Sequence, residues 1–269
     1  DSEADIELGT YAKKVLGISN RRLQKVVRTK GLMVNGRSAH SKRKLRAGDQ
    51  IEVRLPVVEQ VKIPVANPGG LKVLYEDPWF VAVEKPAGIP TYAVHGSKGL
   101  ANQVAGYFLT QGIKLTPRPI HRLDTPTSGV LLFAKDAQTQ TLMNQLWQQN
   151  AVKRLYFALC SGHLDKEQEI DTPLRGQRAV TRLKPVKLYP NCTELEVELV
   201  SGRTHQIRKH LVAIGHPILG DRRYGPANAK KSRLALHATC VSFLHPLNNG
   251  QNVTINSPVP YGEFSSYFA

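Results

Sequence analysis

The sequence predicts an α+β protein, with a large sheet-based domain preceded by a small basic one. Three observations carry this. Strand-like stretches follow one another with few helical stretches between them, at 73–77, 80–86, 130–134, 153–159, 180–188, 194–200 and 234–238. Residues 130–134 are apolar throughout, the pattern of a strand buried on both faces. The charge also changes abruptly along the chain. Between Thr10 and Pro56, Asp49 and Glu52 are the only acidic residues among many Lys and Arg.

At 269 residues the chain holds one large domain and one small one, with ample sequence for a core. Its 41% hydrophobic and 22% charged residues describe a folded chain, not a disordered one. The formal charge of +16 is the informative number, because each Lys or Arg that neutralises a phosphate releases a counterion. No run of about 18 apolar residues and no basic amphipathic helix ending in aromatics favours a membrane. The implied partner is therefore a nucleic acid. Cys160, Cys192 and Cys240 lie far apart, so neither a disulfide framework nor a zinc site is expected, and a cytoplasmic location fits. The acidic start lacks the basic and apolar segments of a signal peptide.

In order, residues 1 to about 9 read as a frayed acidic end. Leu23, Val26 and Val27 recur at helical spacing, with Arg21, Arg22, Lys25 and Arg28 on the other positions, giving a helix with a basic exposed face. Asn35–Gly36 between short apolar runs signals a two-residue hairpin. The basic run Lys42, Arg43, Lys44 precedes an Ala-Gly-Asp turn and an alternating strand at 51–55. Residues 57–70, with Pro64, Pro68, Gly69 and Gly70, lack periodicity and read as a linker. The division is thus 1–56, linker 57–70, and 71–269. In the large part, 73–77 and 80–86 pair as strands through Asp77-Pro78. His95 and Gly96 lie in a loop, and 102–109 suits a short helix. Asp136 caps a helix to about 150 with Leu142, Leu146 and Trp147 inward. Residues 164–178 form a polar connection. Thr204 caps a helix whose buried row is Ile207, Leu211 and Ile214. Arg208 then falls in a first turn, where the helix dipole disfavours a cation, so function rather than propensity explains it.

Three strings carry chemistry. Pro119 to Lys135 reads Pro-Ile-His-Arg-Leu-Asp-Thr-Pro-Thr-Ser-Gly followed by the apolar run and Ala-Lys. A polar loop on the end of a buried strand holds reactive groups rigidly at a surface, and Arg122 brings a guanidinium near the Asp124 carboxylate. Residues 153–158 read Lys-Arg-Leu-Tyr-Phe-Ala. Residues 201–210 read Ser-Gly-Arg-Thr-His-Gln-Ile-Arg-Lys-His, followed by Gly-His-Pro-Ile-Leu-Gly-Asp at 215–221 and Tyr224-Gly225. Together with Glu-Lys-Pro-Ala-Gly at 84–88, this set resembles the RluA-type family of RNA pseudouridine synthases. The order helix, Val-Asn-Gly, basic run, Ala-Gly-Asp and strand in the first 56 residues resembles the small RNA-binding domain named after ribosomal protein S-four. Ser19-Asn-Arg21 departs from the Ser-Arg pair frequent there.

The resemblance implies a mixed, mainly antiparallel sheet with flanking helices and a basic cleft. It implies cofactor-free isomerisation of uridine to pseudouridine in RNA by base flipping, with no metal. Asp124 would be the catalytic carboxylate, Arg208 would orient it through a two-donor bond, and Tyr156 would pack on the uracil. Arg122 would fill the space the base leaves, and His121, Thr127, Ile207, Arg203 and His205 would complete substrate binding. Arg21, Arg22, Lys25, Arg28, Lys42, Arg43 and Lys44 would contact phosphates. A monomer acting on large-subunit ribosomal RNA is the first expectation, with transfer RNA second and DNA excluded. A non-catalytic RNA-binding assembly factor and a base-excising glycosylase are the competing readings.

Overall fold

The computed structural model of the protein describes residues 6–18, 20–54, 63–93, 98–226 and 233–268. The chain opens with α1 (Leu8–Lys14) and α2 (Asn20–Arg28), then β1 (Leu32–Val34), β2 (Arg37–Ser38) and β3 (Ile51–Val53). The three strands form an antiparallel sheet of order β2-β1-β3. Asn35 and Gly36 make its turn with φ of 51° and 75°, the left-handed pair that a two-residue hairpin requires. Leu23 and Val26 of α2 are buried against Leu8, Ala12, Leu32 and Val34, a core of their own. The frayed start is corrected at its inner end. Leu8 is fully buried and donates its N–H to Arg43 O, so Leu8 opens a helix. Local composition concealed this, because the apolar row of α1 exists only against α2. Residues 1–5 lie outside the described residues, as do Ser19, the first part of the linker (57–62) and the loop around His95 and Gly96.

The large sheet holds β4 (Lys72–Glu76), β5 (Phe80–Lys85), β6 (Arg118–Pro119), β7 (Ser128–Ala134), β8 (Val152–Ser161) and β9 (Gln168–Asp171). It continues with β10 (Val180–Leu188), β11 (Cys192–Leu199), β12 (Leu236–Leu244) and β13 (Asn252–Asn256). Their order is β4-β5-β7-β12-β8-β11-β10-β9, with β6 beside β7 and β13 beside β12. The pairing of β7 with β12 is parallel; the other pairings among the described residues are antiparallel. The fold is α+β, mixed and mainly antiparallel, as expected.

Helices α3 (Leu100–Thr110), α4 (Ala137–Gln148) and α5 (Gln206–Ala213) cover the sheet. Val81, Val83, Leu131 and Phe133 join a cluster with α3 and α5. Their neighbours Phe80, Ala82, Val130 and Leu132 join a second cluster with Met143 of α4. Strands β5 and β7 are therefore buried on both faces, which is why 130–134 is apolar at every position. Asp136 caps α4 by accepting from the N–H groups of Gln138 and Thr139.

Three sequence readings change. Met143 and Thr139, rather than Leu142, are the buried residues of α4; Leu142 faces Gly17 of the N-terminal unit. Residues 168–171 form β9, because Ile170 finds a buried place beside β10 although its neighbours are polar. The end of the predicted linker is packed: Asn102 Nδ2 donates to Pro64 O (2.6 Å), and Ala66 is buried against α3.

Candidate active site

The loop ahead of β7 is held from two sides. Thr127 N–H donates to Asp124 O (3.0 Å), closing a tight turn, and Gly88 N–H donates to Thr125 O (2.8 Å). The fully buried Lys85 Nζ donates to Pro86 O, Ile89 O and Thr125 O at 3.0, 2.7 and 3.0 Å. Burial draws the Lys85 pKa down to about 7, and Asp124 opposes that shift. The end of β5 thus carries the loop, and the loop presents the half-buried Asp124 carboxylate.

Arg208 meets this carboxylate differently from the expectation. Its Nη1 donates to Asp124 Oδ2 at 3.2 Å, a single bond. The two-donor fork is given to Asp221, with Nε to Oδ2 at 2.7 Å and Nη2 to Oδ1 at 2.8 Å. The correction has a plain reason. A buried guanidinium needs a charge partner with matching geometry, and the fully buried Asp221 supplies it. Burial raises the Asp221 pKa, yet the Arg208 pair and the N–H groups of Arg223 and Tyr224 outweigh it, leaving the carboxyl below its ordinary value. Arg122, expected near Asp124, is exposed at the rim of the cleft.

The helix cap is also corrected. Residue 205, not Thr204, precedes α5, and His205 sits in the left-handed region (φ 57°) without a side-chain cap. Gln206 closes this end: its Oε1 accepts from Arg203 N–H, and its Nε2 donates to Val180 O, each at 2.9 Å. His205 is thereby aimed at the site, with Nε2 3.7 Å from Asp124 Oδ1.

Asp124 opens into a cleft of about 190 Å³. That is below the roughly 300–1,000 Å³ of pockets that enclose drug-sized ligands, and it suits one inserted ring. Tyr156 is placed there by register: Ala238 of β12 lies opposite Gly129 on one side and Tyr156 on the other. Burial raises the Tyr156 pKa; Arg154 lowers it and Asp124 adds to the rise. Buried Ile207 and Thr127 line the cleft, as do His121, Arg203 and His205. Thr127 Oγ1 has no partner among the described residues.

The structure adds a wall that sequence reasoning missed. Arg154 is 5% exposed, donates from Nη2 to Leu199 O (2.9 Å), and lies 4.7 Å over the Trp147 ring. The other stacked partner of Trp147 is His121, at 5.1 Å and 19°. His121 Nε2 accepts from Leu132 N–H (3.2 Å), and burial with Arg154 pushes its pKa down to about 3. Arg154 was legible in principle, since it precedes Tyr156 by two on one strand and shares its face. Asp221 ended a string already singled out, without any periodic signal of its role.

Lys25, Arg28, Lys42, Arg43 and Lys44 are exposed on the N-terminal unit, away from the cleft lining. The side chains of Arg21 and Arg22 lie outside the described residues. Among the described residues no three His, Cys, Asp or Glu side chains gather as a metal site, and no helix is long and apolar enough to cross a membrane.

Residues 79–213 match the family described as RNA pseudouridylate synthase. A Bacillus subtilis RNA pseudouridine synthase, YjbO, is 32% identical over 264 residues, covering 91% of this chain and 93% of its own. The chain belongs to the RNA pseudouridylate synthase family. A second family member, ribosomal large subunit pseudouridine synthase D of Nitrosomonas europaea, is 32% identical over 269 residues, covering 90% of this chain and 77% of its own. The structure of human RNA pseudouridylate synthase domain containing 1 shares the fold, with a TM-score of 0.61 over 74% of this chain and 87% of that one at 23% identity.

Proposed function

We propose that the protein isomerises uridine to pseudouridine within structured RNA, and that large-subunit ribosomal RNA is its substrate. One observation carries the reading of the site. Asp124 is the sole carboxylate among the described residues that line the cleft. A hydrolytic glycosidase places a second carboxylate there to activate water. The second one here, Asp221, is buried behind Arg208 and fully engaged. A single carboxylate suits a glycosidic bond that is broken and re-formed without water. Relatives named for the ribosomal large subunit in Nitrosomonas europaea and Neisseria meningitidis support this choice of target.

The uridine is extruded from its stack, at a cost of a few kcal/mol. Arg122 at the rim takes the vacated space, and the uracil enters against Tyr156 and Ile207. Asp124 acts on the ribose, as nucleophile or by taking a sugar proton, while Arg208 holds one of its oxygens. The freed uracil turns, carbon 5 bonds to the same sugar carbon, and Tyr156 assists removal of the carbon-5 proton. The N-terminal residues 1–56, an S-four-like unit in this reading, add phosphate contacts through residues such as Lys25, Arg28, Lys42 and Arg43. Residues 71–269 carry the chemistry.

The test is tritium release from large-subunit ribosomal RNA labelled at uracil carbon 5. The wild type is expected to release tritium without free uracil. Asp124→Asn is expected to abolish release while RNA affinity stays, because phosphate contacts carry affinity. Accumulating uracil would show a glycosylase; RNA binding without release would show an assembly factor.

A further inference from the structure

Tyr224 belongs to a string with no function assigned above, yet its side chain touches both partners of Asp124. Its hydroxyl lies 2.8 Å from His205 Nδ1, and the two rings meet edge to face at 5.6 Å and 72°. The Arg208 guanidinium lies over the same ring at 5.0 Å. The residue is itself pinned, since its N–H donates to Asp221 Oδ1 at 3.0 Å. Gly225 lets this turn close, because a Cβ there would stand 2.6 Å from Asp221 O. Arg208 reaches Asp124 Oδ2, and His205 faces Oδ1.

We propose that Tyr224 is a positioning residue for the proposed isomerisation: its hydroxyl donates to His205 Nδ1, so that Nε2–H faces Asp124 Oδ1, while its ring supports Arg208 at Oδ2. The two oxygens of the carboxylate are then bracketed from opposite sides, and the carboxylate cannot turn away from the ribose. Which ring nitrogen of a histidine carries the proton is set by the hydrogen bond at the other. The left-handed backbone at His205 agrees, because such conformations persist where the surroundings over-determine them. Burial lowers the His205 pKa, Asp124 opposes, and Arg208, Arg223 and Lys209 lower it further, so the neutral ring that has a tautomer to set is favoured. The proposal rests on the catalytic assignment of Asp124, but its first half can be measured without activity.

That measurement is the nitrogen-15 spectrum of the His205 imidazole in the full chain, assigned by its loss in His205→Asn. Protonated Nε2 with bare Nδ1 in the wild type, and a mixed population in Tyr224→Phe, is the expected result. Protonated Nδ1 in the wild type would overturn the proposal. The kinetic arm compares single-turnover rates at saturating RNA. Tyr224→Phe should slow the reaction roughly ten- to a hundredfold, the cost of a misplaced catalytic group, with RNA affinity retained. In a His205→Asn background it should add nothing, whereas Tyr224→Leu should still slow the reaction through Arg208. Undiminished rate in Tyr224→Phe, or an equal loss in both backgrounds, would sink the relay. If the wild type itself released no tritium, the isomerase reading would fall, and the spectrum would still decide what Tyr224 does to His205.

Discussion

The fork of Arg208 points away from Asp124, and Asp221 is what leaves its third nitrogen to reach that carboxylate. With Nε and Nη2 held by Asp221, only Nη1 is left to meet Asp124, at a fixed angle. Asp221→Asn would leave a buried guanidinium half-compensated, so a stability loss of about 3–5 kcal/mol in urea unfolding is expected. The single-turnover rate should fall with it. Arg208→Lys should damage the rate nearly as much as Asp124→Asn, because a lysine cannot serve two carboxylates with a planar fork. The pH dependence has a definite sign. A carboxyl whose pKa is lowered on folding contributes stability above its unfolded value of about 3.9, and loses it as pH falls through the folded value. The gap between wild type and Asp221→Asn should therefore close in acid, below about pH 4. A constant gap down to pH 2.5, about where that loss should be well advanced, would mean that Asp221 is not the titrating group.

At the scale of elements, the junction of β7 with β12 decides where the site lies. Gly129 has φ 115°, and a Cβ there would stand 2.2 Å from Ala238 O. The strands can approach in parallel only because no side chain intervenes. The same Ala238 faces Tyr156, so this row sets the distance between the Asp124 loop and the ring across the cleft. Gly129→Ala is expected to cost about 3 kcal/mol or more, from both backbone strain and the clash, and to lower the thermal midpoint by roughly 5 °C or more. The rate should fall even at temperatures where the variant is fully folded. Calorimetry showing an unshifted midpoint would mean that the junction relaxes freely.

For the whole molecule, the question is how the two sheets share the work. The N-terminal unit has its own core and touches α4 through Gln138 Nε2, which donates to Leu16 O at 2.7 Å, and through Leu142 beneath Gly17. With the strings proposed to carry the chemistry confined to residues beyond 71, removing residues 1–56 should weaken RNA binding and flatten its salt dependence. Each lost phosphate contact removes about 0.7–0.9 from the log–log slope. The saturated single-turnover rate should survive. Titrations of full and truncated chains across a salt series check this, and an unchanged slope would mean that the basic face meets only solvent.

What the sequence by itself determined is what neighbouring residues decide together. The Asn35–Gly36 turn, the Asp136 cap, the doubly buried run at 130–134 and the buried pair Ile207 and Leu211 of α5 each depend on residues within a few positions of one another. Asp124, Tyr156 and Arg208, which share one cleft, were legible as candidates because each stands in a dense local string, though not how they would meet. Tertiary structure alone decided that Arg208 forks onto Asp221, that the Arg154 guanidinium stacks over Trp147, and that β9 forms where the sequence reads as a connection. It also paired β7 with β12, bringing Ser128 within 2.7 Å of His237 across 109 residues of chain. No periodicity records such contacts. A charge chooses its partner by burial and geometry after the chain has folded, when the need to compensate a desolvated guanidinium outweighs anything its neighbours in sequence prefer.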